Sequence, residues 1–336
     1  MLRGLLPCLI SLSASGQHVL HYTETSGFDH GTRDVSLTMF EAIAAENGLV
    51  VTSDNDGSAF SSLATLQQFE AVVFSNTSGA DLLDATQRAN FEAYIAGGGS
   101  ILGIHAASDT YRHSTANGNN TGAWDFYAEL IGASVQENPN HVNGTPLYDM
   151  AHIGAHASTA NLPNPWAKNE EYYYWEGGYY RNDNVPVLQV EETVGPNGEV
   201  NSYDAPRPMS WYRGLPAGGR MFYTALGHAG SNYTDDALFL QHITDALLWL
   251  IDDANGFEPM SASHAAPLLW PNPANDRLWF APSVLGQIRV IDAWGRMVMR
   301  CGGGPNITLD VSGLPTGIYH ARSRYHGSIS TFVIQR

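Results

Sequence analysis

The sequence predicts an α/β protein in which a doubly wound, mostly parallel sheet is followed by a small all-β sandwich. Short apolar segments alternate with helical patterns over the first part of the chain, an order typical of parallel sheets. Beyond residue 268 the helical patterns stop, and short alternating strands separated by turn residues predict the sandwich. A chain of 336 residues is long enough for two such folded units.

The first unit, residues 17–254, carries the signals of a parallel sheet. Continuous apolar runs predict core strands at residues 18–22, 48–52, 71–74, 100–104 and 219–225. Apolar residues at helical spacing predict helices at residues 32–47, 63–69, 84–95, 124–130 and 237–251. Ligands of such sheets bind at the carboxyl ends of the strands. The loops that begin at Thr23, Ser75 and His105 are therefore expected to share one rim.

The remaining segments define the domain organisation. Residues 138–208 are rich in Asn, Pro, Gly and Tyr and predict an insertion of loops and β-hairpins over the rim. Residues 255–267 predict a linker, because Gly, Pro, Ser and Ala dominate there. The second unit, residues 268–336, has strand signals at residues 277–281, 287–293, 307–311, 317–324 and 328–334.

The charge balance limits the partners. The chain has 33 acidic and 16 basic residues, which gives a formal net charge of −17. Such a charge repels phosphate backbones and anionic lipid, so a nucleic-acid partner is not expected. The negative charge is compatible with neutral or cationic ligands.

Residues 1–16 have the pattern of a secretory signal peptide. Arg3 supplies the positive start, and a mostly apolar stretch with a small-residue exit follows. A buried first strand is the alternative, but the basic flank and the small-residue exit favour export. No other segment has the roughly 20 apolar residues that a membrane span needs, so no transmembrane segment is expected. Removal of Cys8 with the signal would leave Cys301 without a disulfide partner.

Three motifs follow one another in the second unit: Trp270-Pro-Asn-Pro-Ala-Asn-Asp-Arg277, Ile291-Asp-Ala-Trp-Gly-Arg296 and Leu309-Asp-Val-Ser-Gly-Leu-Pro-Thr-Gly-Ile-Tyr319. In this order they resemble a type IX secretion sorting domain. The resemblance implies that the type IX secretion machinery carries the chain across an outer membrane, and that the chain is then released or anchored at the cell surface. A carbohydrate-binding β-sandwich is the alternative interpretation.

Five motifs follow one another in the first unit: Thr25-Ser-Gly-Phe-Asp-His30, Gly103-Ile-His-Ala-Ala-Ser-Asp109, Glu170-Glu-Tyr-Tyr173, Pro208-Met-Ser-Trp211 and Gly219-Arg-Met-Phe-Tyr-Thr-Ala-Leu-Gly-His228. They resemble the ThuA family, which is associated with the use of trehalose and related sugars. The resemblance implies a flavodoxin-like fold of the glutamine-amidotransferase-like class. It also implies a carbohydrate or another small polar molecule as ligand.

One strand-to-helix turn is the first candidate for chemistry. Amidotransferases of this fold class present a cysteine nucleophile in a Gly-x-Cys-x-Gly elbow, where this chain has Gly103-Ile-His105-Ala-Ala107. Residues 17–254 contain no cysteine, so thiol-based glutaminase chemistry is excluded. A histidine at that edge of the sheet suits general acid/base catalysis or metal ligation.

Further candidates come from the other loops of the rim. His30 ends the first loop and His228 follows the last core strand, so both are expected beside His105. With a carboxylate such as Asp109 or Glu171 they would resemble a divalent-metal site. No His-x-x-x-His or Glu-x-x-His pair supports that interpretation, so a metal is possible but not favoured, and the cofactor stays open.

The candidate residues are assigned to two roles, and three functions are compatible with them. The predicted catalytic residues are His105, Asp109 and Glu171, and the predicted substrate-binding residues are His30, Tyr173, Trp211 and His228. The aromatic residues 172–175, 179, 180, 211 and 212 fit stacking against sugar rings, with core packing as the alternative. The leading hypothesis is a secreted protein that acts on or binds a sugar or keto-sugar through acid/base chemistry at His105. The alternatives are a non-catalytic carbohydrate-binding protein and a metal-dependent hydrolase.

Overall fold

The computed structural model describes two parts of the chain. The described residues are 17–113, 122–177, 180–215, 218–251, 269–280, 288–292, 297–301, 308–323 and 329–336. The predicted signal peptide and the predicted linker lie outside them.

The N-terminal unit, residues 17–251, consists of one large sheet with helices. Its strands are β1 (His18–Tyr22), β2 (Val50–Asp54), β3 (Ala71–Ser75), β4 (Ser100–Ile104), β5 (Leu147–His152), β6 (Trp166–Asn169), β7 (Val185–Val190), β8 (Arg207–Gly214) and β9 (Arg220–Thr224). Its α-helices are α1 (Arg33–Asn47), α2 (Leu63–Leu66), α3 (Ala85–Ala96), α4 (Asp125–Ile131), α5 (Gly230–Thr234) and α6 (Ala237–Ile251). Short 3₁₀ segments lie at Ser58–Ser61, His105–Asp109, Ala157–Thr159 and Ser202–Asp204.

The strand order confirms the predicted α/β class. It is β2-β1-β3-β4-β9-β8-β7-β5-β6. The first five strands of this order are parallel to one another, and their arrangement is the flavodoxin-like 2-1-3-4-5 pattern. Every residue of β3 and β4 is buried, as expected for strands that helices cover on both faces. The loops after β1, β3, β4 and β9 therefore lie at the same edge of the sheet.

The region predicted as an insertion of loops and hairpins contributes more to the sheet than expected. Three strands within it, β5, β6 and β7, extend the sheet beyond β9 by antiparallel pairing, together with β8, which begins at the end of the region. The burial of β5 and β7 alternates only partly, so the Asn, Pro and Gly residues of the connections dominate the sequence pattern. A shorter segment, residues 170–177, passes over the rim and forms isolated bridges from Tyr173 to His141 and from Trp175 to Val135.

Buried histidines of the N-terminal unit, among them His156 and His242, make its stability depend on pH. His156 stacks on Tyr212 and Phe222, with ring centroids 4.5 and 5.4 Å away. Burial, reinforced by the nearby His242 and Arg220, lowers the pKa of His156 to about 3. Burial also lowers the pKa of His242 to about 4. Both side chains are therefore neutral in the folded protein.

Acid is expected to destabilise the fold through these histidines. An unfolded histidine has a pKa near 6.5, so protons bind the unfolded chain first as the pH falls below that value. Their contribution is complete above pH 6.5 and is lost toward pH 3 to 4, at about 1.4 kcal/mol per pH unit for each histidine. Urea unfolding at a series of pH values, on protein treated with a chelator, measures this contribution to the free energy of unfolding. Between pH 6.5 and 5, the free energy of unfolding of His156→Phe should fall by about 2 kcal/mol less than that of wild type. Equal decreases would contradict the conclusion that His156 is neutral in the folded protein.

The C-terminal unit, residues 269–336, is all-β where it is described. Its strands are β10 (Leu269–Trp270), β11 (Arg277–Phe280), β12 (Ile288–Asp292), β13 (Met297–Cys301), β14 (Thr308–Asp310), β15 (Gly317–Ser323) and β16 (Ile329–Ile334). They form two antiparallel sheets, β10-β11-β14 and β13-β12-β15-β16. Leu278 and Leu309 of the first sheet share one core with Val290, Ala321 and Phe332 of the second. The predicted strands are confirmed, and β10 and β13 are additional.

The described helices were compared with the length and apolarity that a bilayer crossing demands. Among the residues that the structure describes, no helix meets both requirements.

Candidate functional site

His105 occupies a sharp turn at the carboxyl end of β4. Its φ of 47° is in the left-handed region, which is uncommon for a residue other than glycine. The Tyr223 hydroxyl stabilises this turn by donating to the His105 carbonyl at 2.7 Å. The ring nitrogen Nδ1 lies 2.7 Å from the Ala225 carbonyl oxygen, and because a carbonyl only accepts, Nδ1 must carry the proton. In neutral His105 the lone pair is therefore on Nε2.

Four side chains from four different loops meet at this point. His30 follows β1, His105 follows β4, Glu171 follows β6 and His228 follows β9. One nitrogen or oxygen atom from each lies within 4.8 Å of the atoms offered by the other three. We refer to His30, His105, Glu171 and His228 as the four-residue cluster. The sequence predicted the three histidines at the rim and left the carboxylate open between Asp109 and Glu171. The structure places Glu171 with the histidines.

Glu171 is the centre of the cluster. Its Oε2 lies 3.3 Å from Nε2 of His105, 3.2 Å from Nδ1 of His228 and 3.9 Å from Nε2 of His30. Burial alone would raise the pKa of Glu171, but the three histidines together hold it well below its usual value. The carboxylate is therefore ionised and only 12% exposed. A buried carboxylate among imidazoles is stabilised by a cation, either a proton or a metal ion.

The other two histidines of the cluster differ in charge preference. Burial lowers the pKa of His30, and the nearby His105 and His228 reinforce this effect. The Glu171 carboxylate raises the pKa of His228, against an opposing effect of burial. Within the described residues, Nδ1 of His30 and Nδ1 of His228 are buried without a partner in hydrogen-bond geometry. The His228 nitrogen, 3.2 Å from Glu171 Oε2, is available as a metal ligand. His30 faces Glu171 through its other ring nitrogen, Nε2.

A fourth histidine, His141, was not predicted from the sequence. Its Nε2 lies 3.2 Å from Oε1 of Glu171, and its side chain is 29% exposed. Nδ1 lies 2.5 Å from the Val142 carbonyl oxygen, so this nitrogen donates. His141 lies in an irregular Asn- and Pro-rich loop, and only the backbone bridge to Tyr173 places it beside Glu171. No spacing pattern in the sequence indicates that contact.

Glu170 connects two of the loops that carry the cluster. Its Oε2 accepts a hydrogen bond from the backbone N–H of Gly227 at 2.9 Å. Its Oε1 accepts from the N–H groups of His228 and Glu171, at 3.2 and 3.1 Å. The side chain is 1% exposed, and Lys168 Nζ lies 3.7 Å away. Glu170 therefore fixes the backbone positions of two cluster residues.

Asn76 connects the loops after β1, β4 and β9. Its Nδ2 lies 2.9 Å from Thr32 Oγ1, 2.9 Å from the Gly227 carbonyl oxygen and 3.1 Å from the Tyr233 hydroxyl. Its Oδ1 accepts from the N–H of Ala106 at 3.2 Å. Asn76 has a φ of 52°, a conformation that Asn tolerates better than most residues. One buried amide thus fixes the spacing of three loops that carry histidines.

Replacement of Asn76 by alanine is expected to loosen the cluster. Three loops lose a common hydrogen-bonding partner, and buried polar groups are left unsatisfied at a cost of about 1 to 3 kcal/mol. Metal affinity should fall about 10- to 100-fold, the range for residues that orient ligands. Asn90→Ala is the matched control, because Asn90 donates to the Phe60 carbonyl outside the cluster. Equal metal affinities of the two variants would contradict this role.

The remaining predicted site residues have different surroundings. The Tyr173 hydroxyl lies 2.8 Å from Nε2 of His105, and burial raises its pKa, so it donates to that nitrogen. Asp109 lies outside the cluster and pairs with Arg112 at 3.1 Å. Burial raises the pKa of Asp109, against the opposing charge of Arg112. Trp211 is fully buried and donates to the Ile131 carbonyl, so the structure gives it no surface for a substrate.

The aromatic segment at residues 172–175 belongs mainly to the core. Tyr172 and Tyr174 are fully buried and Tyr173 is 4% exposed. Trp175 packs edge-on against Trp211, with ring centroids 5.1 Å apart. These rings support the segment that presents Glu171, and core packing is the interpretation that their burial favours.

The fold and this geometry define a class of protein. It is a flavodoxin-like α/β protein whose elbow presents a histidine, surrounded by two further histidines and a carboxylate. Residues 18–250 match the ThuA family profile, described as trehalose utilisation. The chain therefore belongs to the ThuA family. Residues 268–335 match the secretion system C-terminal sorting domain, which indicates type IX secretion to the outer cell surface or the extracellular space.

Solved structures of similar proteins agree with the fold. A ThuA-like protein from Bacteroides uniformis is 20% identical, with a TM-score of 0.55 over 71% of this chain and 94% of that one. A ThuA-like protein from Parabacteroides merdae is 15% identical, with a TM-score of 0.50 over 75% of this chain and 93% of that one. No curated protein matches significantly in sequence. At these sequence identities the similarity establishes only the fold, and the chemistry must be inferred from the residues of the site.

Proposed function

We propose that the protein is a secreted, metal-dependent enzyme that acts on a sugar or an oxidised sugar derivative. The observation that carries this proposal is the four-residue cluster, whose ligand atoms all lie within 4.8 Å of one another. Three imidazoles and one carboxylate suit Zn²⁺, Mn²⁺, Fe²⁺ or a related first-row ion. Mg²⁺ and Ca²⁺ prefer oxygen ligands alone.

The distances within the cluster support a metal ion. Bonds of about 2.0 to 2.1 Å to a tetrahedral ion place neighbouring ligand atoms about 3.3 Å apart. Glu171 Oε2 lies 3.3 Å from His105 and 3.2 Å from His228. His30 is slightly farther, at 3.9 Å. The hydrogen bond from His105 to the Ala225 carbonyl is also typical of a ligating histidine, whose second nitrogen usually donates to a carbonyl or a carboxylate.

The surrounding side chains suit binding and proton transfer. When bound, the metal ion would polarise a carbonyl or hydroxyl oxygen of the substrate. His141 contacts Glu171 and is 29% exposed, so it faces the solvent side of the cluster. Asp109 is 28% exposed and close enough to interact electrostatically with His105 and Glu171. These two groups would transfer protons. The Ala225 carbonyl, which accepts from Nδ1, and the stacked Tyr173 ring, with its centroid 4.5 Å away, would keep the His105 ring in place.

The sugar class is supported by the family, whose description is trehalose utilisation. Two other functions predict different behaviour. A metal-free enzyme would use His105 directly as acid and base, with the Tyr173 hydroxyl, which is hydrogen-bonded to Nε2, as its proton-transfer partner. A non-catalytic carbohydrate-binding protein would bind without turnover.

The test uses full-length protein purified without chelators. Bound metal is measured by mass spectrometry, and turnover of disaccharides and their 3-keto derivatives is followed before chelation, after chelation and after each metal is restored. We expect about one metal ion per chain, loss of turnover on chelation and recovery with one metal. His105→Ala should be inactive, and His320→Ala, in the C-terminal unit, should be unaffected. Activity that survives chelation but not His105→Ala would favour the metal-free enzyme, and binding without turnover would favour the binding protein.

A further inference from the structure

Phe28 is an exposed aromatic side chain beside the four-residue cluster. It is 67% exposed, and in the described part of residues 17–251 no other aromatic residue is classed as exposed. Its ring packs edge-on against the His30 ring, with centroids 4.8 Å apart. Most of the roughly 1.5 to 3 kcal/mol available from burying such a side chain is therefore not used in folding.

The loop that carries Phe28 is fixed by hydrogen bonds. The Phe28 carbonyl accepts from the Ser78 hydroxyl at 2.6 Å and from the Thr25 hydroxyl at 3.3 Å. The backbone N–H groups of Ser26 and Gly27 donate to the Ser78 carbonyl at 2.9 and 3.1 Å. The exposed ring thus extends from a well-bonded loop rather than from a loose one.

Two glycines allow this loop to approach the loop after β3. A Cβ atom on Gly27 would lie 2.9 Å from the backbone nitrogen of Gly79. A Cβ atom on Gly79 would lie 2.4 Å from the Ser26 hydroxyl oxygen, and Gly79 also has a φ of 93°. Larger residues at either position would force the loops apart. The position of the Phe28 ring relative to His30 is therefore specified by the sequence.

We propose that Phe28 binds the apolar face of a pyranose ring whose oxygen atoms are directed to the four-residue cluster. Aromatic rings stack on the C–H face of cyclic sugars, whereas open-chain polyols and hydroxy acids present no such flat apolar face. The substrate class is then a cyclic sugar or keto-sugar rather than an acyclic one. This inference rests on the proposed metal-dependent function and adds a residue that determines specificity.

The experiment compares two ligands on the Co²⁺-loaded full-length protein. Methyl 3-keto-α-glucopyranoside tests the cyclic ligand, and acetohydroxamate, an acyclic metal chelator, tests the metal alone. Both are titrated against the visible Co²⁺ absorption of wild type, Phe28→Ala, Phe28→Trp and Trp279→Ala. The last variant removes an exposed aromatic side chain of the C-terminal unit, which is 38% exposed.

We expect Phe28→Ala to weaken the keto-pyranoside about 10-fold, equivalent to about 1.4 kcal/mol. Phe28→Trp should stay within about 3-fold of wild type, since tryptophan also stacks on sugars. Acetohydroxamate should bind all four proteins equally. If Phe28→Ala binds the keto-pyranoside as tightly as wild type, or if wild type does not bind it at all, the role of Phe28 is overturned. Hydroxamate binding in the same samples would still support the metal site. Failure of Co²⁺ or hydroxamate to bind wild type would overturn the proposed function and this inference with it.

Discussion

Glu171→Gln is expected to abolish metal binding and turnover while the fold remains intact. The substitution removes the only carboxylate within the cluster and places a neutral amide between three imidazoles. Even residues that merely orient ligands change metal affinity by about 10- to 100-fold, so loss of a ligating carboxylate should exceed that range. The measurement is metal affinity by competition with a chelator of known affinity, with turnover followed on the same samples.

Glu192→Gln provides the control for Glu171→Gln. Glu192 is exposed, and the same change in charge should leave metal affinity and turnover unchanged. Circular dichroism of both variants separates a local effect from unfolding. Wild-type metal affinity in Glu171→Gln would show that the carboxylate is not a ligand, and the cluster would then need another explanation.

Glu170→Ala is expected to have the largest effect on stability among the charged residues near the site. The change leaves three backbone N–H groups without their acceptor and leaves Lys168, which is 4% exposed, with Asp236 as its remaining ion-pair partner. Breaking one partner of a buried ion pair costs about 3 to 5 kcal/mol. Since Glu170 fixes the backbone of His228, metal affinity should fall as well.

Two further variants separate the positioning role of Glu170 from general destabilisation. Glu170→Gln retains one acceptor oxygen and should recover part of both losses. Leu247→Ala removes a fully buried core side chain of α6 and should cost about 2 to 5 kcal/mol without changing metal affinity. Both are measured at a temperature where every variant is folded. If Leu247→Ala reduces metal affinity as much as Glu170→Ala, the role assigned to Glu170 is wrong.

Local sequence signals were sufficient where a continuous apolar run has clear ends. Residues 100–104 were predicted as a strand, and β4 covers the same residues, because three glycines precede the run and His105 follows it. The prediction that His30, His105 and His228 share one rim also followed from topology, since parallel strands place their carboxyl ends together. The structure confirms that placement.

Long-range contacts explain what the sequence did not reveal. His141 and Asn76 lie in connections without periodicity, and their partners are many residues away, as in the bond from Asn76 to the Gly227 carbonyl. The sequence did not favour a metal because the four cluster residues come from separate loops and no short motif joins them. Trp211 was expected to bind substrate because aromatic rings stack on sugar faces, but its packing in the core buries it completely.

The most direct test of the proposed metal site is anomalous X-ray scattering from crystals of the protein grown without chelators, with data collected on both sides of the absorption edge of the bound metal. We expect one strong anomalous peak within bonding distance of His30, His105, Glu171 and His228, at full or nearly full occupancy. The absence of a peak at this position in crystals that contain Zn²⁺ or Mn²⁺ would contradict a metal site formed by these four residues. A peak bound only by other residues would contradict it equally.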